Sequence, residues 1–279
     1  MNYLEKLHNA IAGTQSCLCI GLDPHLDLFP RLLTEKIPDK HRRVTYFLKE
    51  IIETTQPYCA AYKPNIAFFE ALGDRGFEVF RQVIEAIPDD KVIIADIKRG
   101  DIGSTAQQYR RAFFDIYNVD AVTLNPLMGF ETLVPYFGYP DKSAYVLTLT
   151  SNEGAADFLE KPFSGFNSMA ESIAANLQEL QGQSEASLGM VVGATKSDDL
   201  SRILQLNPGA PLLIPGIGRQ GGSVEELTTV LENHTGLPLV SSSRSILFAG
   251  GKGEHWKQAA EDRAARYREQ LTPITQAHV

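Results

Sequence analysis

Eight times along this chain a short apolar run ends in a polar or kinking residue and gives way to helical spacing. The runs are CLCIGLDP (17–24), YCAAYKPN (58–65), VIIADIK (92–98), DAVTLNP (120–126), SAYVLTLTS (143–151), LGMVVGAT (188–195), PLLIPGIGRQGG (211–222) and LPLVSSSRSI (237–246). Runs of roughly four to six apolar residues with little alternation suit strands buried on both faces, as in a parallel sheet covered by helices. Eight strand–helix units predict a (β/α)8 TIM barrel in the α/β class, with an open doubly wound sheet as the alternative. Helices are expected over 2–12, with Leu4, Leu7 and Ile11 on one stripe and Asn2 as cap, and over 40–55, 74–86, 105–117 and 166–182. Three more follow at 197–206, capped by Ser197, at 223–233, with Ser223 and Glu226 at capping-box spacing, and at 254–270. No linker or composition shift interrupts the 279 residues, so one domain over 1–279 is expected.

Composition narrows the function. A net charge of −8 offers no broad basic surface for nucleic acid, so a small anionic ligand needs a local basic site. Cys17, Cys19 and Cys59 are odd in number and lie among apolar neighbours, which favours buried thiols over disulfides or a zinc site. The six histidines are scattered without metal-ligand spacing. The N-terminal MNYLEKLHNAIAG has no signal-peptide pattern and no apolar run approaches a membrane span, so a cytoplasmic protein is expected.

The most chemically loaded stretch is ADIKRGDIGST (95–105). Residues i and i+2 of a strand share a face, so Asp96 and Lys98 project together from the end of the third strand, and Asp101 follows. The other strands end on Asp23, Lys63, Asn125, Ser151, Gln220 and Arg244. In a (β/α)8 barrel these ends meet at one face, where the active site lies. The exit of the seventh strand, Gly216-Ile217-Gly218-Arg219-Gln220-Gly221-Gly222, has the form GxGxxG. It comes late in the chain, and the next strand ends in serines where a dinucleotide site would have an acid. A phosphate cradle of backbone N–H groups, with Arg244 nearby, suits it better. The segment EGAADFLEKPFSG (153–165) has no clear period and reads as a candidate lid.

Together GLDP, YKPN, DIKRGDI, PGIGRQGG and SSSRSI, in this order between about residues 17 and 250, resemble the orotidine 5′-phosphate decarboxylase family. TLNP and LTSNEG resemble its longer bacterial branch. The resemblance implies decarboxylation of orotidine 5′-phosphate to UMP, the last step of de novo pyrimidine nucleotide synthesis, without metal or organic cofactor. It implies an alternating array of Lys63, Asp96, Lys98 and Asp101, with Asp101, Ile102 and Thr105 supplied by the partner subunit of a homodimer. It further implies that Asp23 and Thr105 hold ribose hydroxyls, Ser151 contacts the pyrimidine, and Gln220 and Arg244 hold the phosphate. Asn125 is a less definite substrate contact.

The residues leave alternatives open. A metal-dependent phosphosugar epimerase or decarboxylase would use Asp23 and Asp96 as ligands, although two ammoniums at the mouth disfavour a dication. A Schiff-base lysine conflicts with flanking aspartates that keep it protonated. A non-catalytic nucleotide-binding barrel would bind the substrate without releasing CO2.

Overall fold

The computed structural model describes residues 1–193, 197–216 and 223–279. Eight parallel strands close into a barrel in sequence order. They are β1 (Leu18–Leu22), β2 (Ala61–Pro64), β3 (Val92–Arg99), β4 (Ala121–Leu124), β5 (Ser143–Leu149), β6 (Ser187–Val192), β7 (Leu212–Pro215) and β8 (Pro238–Ser242). Closure is made by β8 against β1, with Leu18 opposite Val240 and Ile20 opposite Ser242. This is the expected barrel, and the open sheet is excluded by that last pairing.

The strands are shorter than their apolar runs because the terminal residues turn out into loops. β3 is the exception. It runs eight residues to Arg99, and its register with β4 shifts between Ala95 and Arg99. Its first part is packed inside, and its end therefore carries Asp96 and Lys98 up to the C-terminal mouth. The barrel interior is filled by large side chains. Tyr145 on β5 lies opposite Gly189 on β6, and a Cβ at Gly189 would come within 2.5 Å of the Tyr145 ring. The Tyr145 hydroxyl meets that of Tyr3 at 2.9 Å, tying the first helix to the barrel interior.

That helix spans Tyr3–Thr14 and is capped by Asn2, whose side chain accepts from the Glu5 N–H while the Glu5 carboxylate accepts from the Asn2 N–H. The helix at Lys40–Thr55, within the expected 40–55, buries Val44, Phe47, Leu48, Ile51 and Ile52 along one side. Others lie at Gly76–Ile84, Met169–Gln181, Ser197–Leu206, Val224–Leu231 and Trp256–Gln270. Ser197 is the first helical residue, one position later than a cap. Ser223 does cap its helix by accepting from the Glu226 N–H, and its hydroxyl donates to Glu225. The helix expected over 105–117 begins at Gly103 and ends in a π-helical turn, Arg111–Ile116. Short helices at Arg31–Lys36, Ile66–Glu70 and Thr272–His278 escaped the sequence pattern, being too short to show a period. The candidate lid contains a 3-10 turn at Glu153–Asp157 and a bridge between Phe163 and Phe166.

Cys17, Cys19 and Cys59 are buried free thiols, as expected. Burial pushes Cys17 up to about 11 and Cys19 and Cys59 up to about 12, so they stay protonated and inert. Among the described residues no helix is long and apolar enough to cross a membrane.

Candidate active site

Two contiguous cavities open at the C-terminal face. One, about 240 Å³, is lined by Asp23, Lys63, Ser151, Pro215, Gly216 and the serines and arginine of Ser241–Ser245. The other, about 200 Å³, is lined by Lys63, Asp96, Lys98, Thr123, Thr150, Ser151 and Asn152, with Leu147, Val191 and Leu213 as an apolar wall. Lys63, Ser151 and Pro215 border both. A larger cavity, about 470 Å³, lies outside the mouth beside Arg244 and the helix Trp256–Gln270. It holds none of the strand-end acids.

Asp96 is the hub. Its Oδ2 accepts from the Lys63 ammonium at 2.7 Å, and its Oδ1 from the Lys98 ammonium at 2.5 Å and from the Thr123 hydroxyl at 2.9 Å. Burial alone would raise the Asp96 carboxyl, but the charges of Lys63 and then Lys98 outweigh it and hold the group well below the usual carboxylate range. For Lys63 burial acts downward, and the carboxylates of Asp96 and Asp23 overcome it, so the ammonium is held above the ordinary lysine range. Both side chains are thus ionised at neutral pH. Lys63 is buried, whereas the Lys98 side chain is 48% exposed at the mouth, where a ligand can reach it.

The local backbone explains the direction of Lys98. Its φ is 45°, in the left-handed region that a lysine seldom adopts. Its N–H donates to the Thr123 hydroxyl at 3.0 Å. Gly100 follows because a Cβ there would sit 2.5 Å from the Asn125 carbonyl oxygen.

At the other side of the mouth, Ser243 donates to Asp23 Oδ2 at 2.6 Å. Asp23 Oδ1 is buried without a hydrogen-bond partner in the protein, so it can accept from a ligand hydroxyl. Arg244 begins a short helix, Arg244–Leu247, and its exposed side chain lines the cavity.

Of the residues singled out in the sequence, Asp23, Lys63, Asp96, Lys98, Ser151 and Arg244 are brought together. Asn125 is not among the residues lining these two cavities; its Oδ1 accepts from the Leu127 N–H at 3.0 Å and closes a turn. Asp101 borders a separate small cleft with Arg99, Tyr109 and Tyr136, and its carboxylate accepts from the Ile102 N–H. Ile102 and Thr105 are exposed just beyond the C-terminal end of β3. Gln220 and the glycine-rich 217–222 lie outside the described residues. Sequence reading missed Thr123 and left Ser243 without a role. Thr123 stands two residues before Asn125, so strand alternation could have found it; nothing local pairs Ser243 with Asp23.

A closed barrel with a lysine–aspartate–lysine chain at its C-terminal mouth, beside a serine- and arginine-lined pocket, defines a (β/α)8-barrel enzyme for a small anionic ligand. The chain belongs to the orotidine 5′-phosphate decarboxylase / HUMPS family, whose model matches residues 16–259. It is 39% identical over 267 residues to an orotidine 5′-phosphate decarboxylase of Dehalococcoides mccartyi, covering 94% of each chain. It is 41% identical over 250 residues to one of Christiangramia forsetii, covering 88% of this chain and 89% of the relative. The structure of Leishmania donovani OMP decarboxylase superposes with a TM-score of 0.78 at 30% identity, covering 96% of this chain and 99% of that one.

Proposed function

We propose that this chain, read as one domain over 1–279, decarboxylates orotidine 5′-phosphate to UMP, with Lys98 as the group that meets the reacting carbon. The observation that carries the reading is the Lys63–Asp96–Lys98 chain, with Lys98 alone of the three open to the mouth. Its relatives bear the name of that activity along nearly their full length.

In the reaction the bond from C6 to the carboxylate breaks, CO2 departs, and the electron pair stays in an sp² orbital at C6. That orbital lies in the ring plane, so the π system cannot absorb it. The Lys98 ammonium stabilises the developing carbanion and then gives it a proton, closing the balance at UMP; solvent returns the proton to lysine. Asp96 keeps the Lys98 ammonium aimed through the hydrogen bond to its Oδ1. An acid near the departing carboxylate also repels it, by about 4 kcal/mol at 4 Å and an effective dielectric of 20. Carbanion stabilisation is the larger contribution in this reading. The apolar wall of Leu147, Val191 and Leu213 suits the uncharged CO2.

Asp23 accepts from a ribose hydroxyl through its unpartnered Oδ1, Ser151 faces the pyrimidine, and Arg244, with Gln220, holds the phosphate. Phosphate binding then supplies energy remote from the reacting carbon. Asp101, Ile102 and Thr105 complete the site of a second copy in a homodimer. Ile102 and Thr105 are exposed, and none of the three lines this chain's own two cavities, which supports that assignment. The protein works in the cytoplasm, and no cofactor takes part.

A magnesium-dependent phosphosugar enzyme would need Asp96 as a ligand, yet both its oxygens are already taken by ammonium and hydroxyl donors. The test is the ultraviolet change on orotidylate turnover with EDTA present. Full turnover is expected; loss on chelation would favour the metal-dependent reading, and tight UMP binding without turnover the non-catalytic one.

A further inference from the structure

We infer that Thr123 is a positioning residue for the Lys98–Asp96 pair, its one hydroxyl setting both the backbone turn that aims Lys98 and the oxygen of Asp96 that Lys98 meets. This rests on the reading of Lys98 as the proton donor.

Thr123 is the one polar residue of β4, whose other members are Ala121, Val122 and Leu124, and it is 1% exposed. A hydroxyl there without bonds would be costly. Its oxygen accepts from the Lys98 N–H at 3.0 Å, and its proton goes to Asp96 Oδ1 at 2.9 Å. Donor and acceptor capacity are both used, and they are used on the two residues that do the chemistry. The contact falls where the register between β3 and β4 shifts. There Lys98 takes its left-handed φ of 45°, which a lysine does not hold without support from its surroundings. The side-chain hydroxyl satisfies the N–H that this turn points into the barrel. Asp96 Oδ1 thereby has a second donor besides Lys98, which fixes the carboxylate plane and leaves the ammonium one favoured approach. Thr123 also borders the cavity that holds Asp96 and Lys98.

The test compares full-length Thr123→Val, Thr123→Ala and Thr123→Ser with the parent enzyme. It measures kcat and KM on orotidine 5′-phosphate and UMP affinity by calorimetry, with Lys98→Ala in parallel. Thr123→Val and Thr123→Ala should lower kcat by about 10- to 100-fold, while KM and UMP affinity stay within about threefold. Thr123→Ser, which keeps the hydroxyl, should restore kcat to within about threefold of the parent. A merely structural threonine would not produce that split between kcat and KM with rescue by serine. Normal kcat in the Val or Ala variant, equal loss in the Ser variant, or a loss confined to KM would overturn the inference. If Lys98→Ala also turned over normally, the reading of Lys98 would fall with it; loss in Lys98→Ala beside a normal Thr123→Val would overturn the role of Thr123 alone.

Discussion

The Lys63 ammonium sits 2.7 Å from Asp96 Oδ2, on the side of the carboxylate opposite the oxygen that Lys98 meets. One carboxylate therefore faces two cations that differ in access. The buried Lys63 offsets the cost of burying Asp96. Lys98 is left at the mouth, where a ligand can reach its ammonium.

That division of labour predicts different kinetic signatures at the two ends of the cavity. Lys98→Ala should lower kcat by about 10³-fold or more while UMP affinity changes little, because it removes both charge stabilisation and the proton. Arg244→Ala should instead raise KM by about 10- to 100-fold through loss of charge-assisted hydrogen bonds to phosphate. Steady-state kinetics on both variants check this. Near-normal kcat in Lys98→Ala would defeat the proposed mechanism.

Assembly offers a separate check. None of Asp101, Ile102 and Thr105 lines this chain's own two cavities, and in the proposed dimer each site borrows them from a second copy. Mixing inactive Lys98→Ala and Asp101→Ala chains should form heterodimers in which one of two sites carries no substitution. At full exchange about a quarter of the parent activity should return. Verified subunit exchange with no recovery would argue against the shared site.

His234 should make the fold acid-sensitive. One ring nitrogen, Nε2, donates to the Ala210 carbonyl at 2.8 Å, and Nδ1 is buried with no partner. Burial lowers the imidazole to about 4; the bond to Ala210 opposes this, and His278 adds to the lowering. The unfolded chain thus takes up the proton first, near 6.5, so this group costs stability as pH falls from about 6.5 towards about 4. The cost is roughly 2.5 kcal/mol by pH 4.5. Urea midpoints of the parent and His234→Gln at pH 7 and 4.5 should show the variant losing less over that interval. Equal losses in the two proteins would show that the histidine is not responsible.

Much of the fold was legible along the chain because its signals are local. The eight apolar runs, the stripe on Lys40–Thr55 and the Asn2 cap all lie within a few residues of one another, and all are present in the structure. The pairing of Asp96 with Lys98 is local too, and follows from the two-residue period of a strand. Thr123 was harder to read: Asn125 closes the strand's sequence pattern and its side chain caps the turn at Leu127, while the hydroxyl that reaches Asp96 belongs to Thr123, two residues earlier.

By itself, then, the order of apolar runs and strand-end charges determined a barrel and the type of chemistry at its mouth. Tertiary structure alone decided which groups touch. Lys63 meets Asp96 across 33 residues of sequence, Thr123 meets it across 27, and Ser243 reaches Asp23 across 220. Those contacts depend on strand register and on β8 closing against β1, which no local periodicity encodes. Asp101, five residues beyond Asp96, borders a separate cleft with Arg99, Tyr109 and Tyr136, while Asp96 lines the cavity at the mouth.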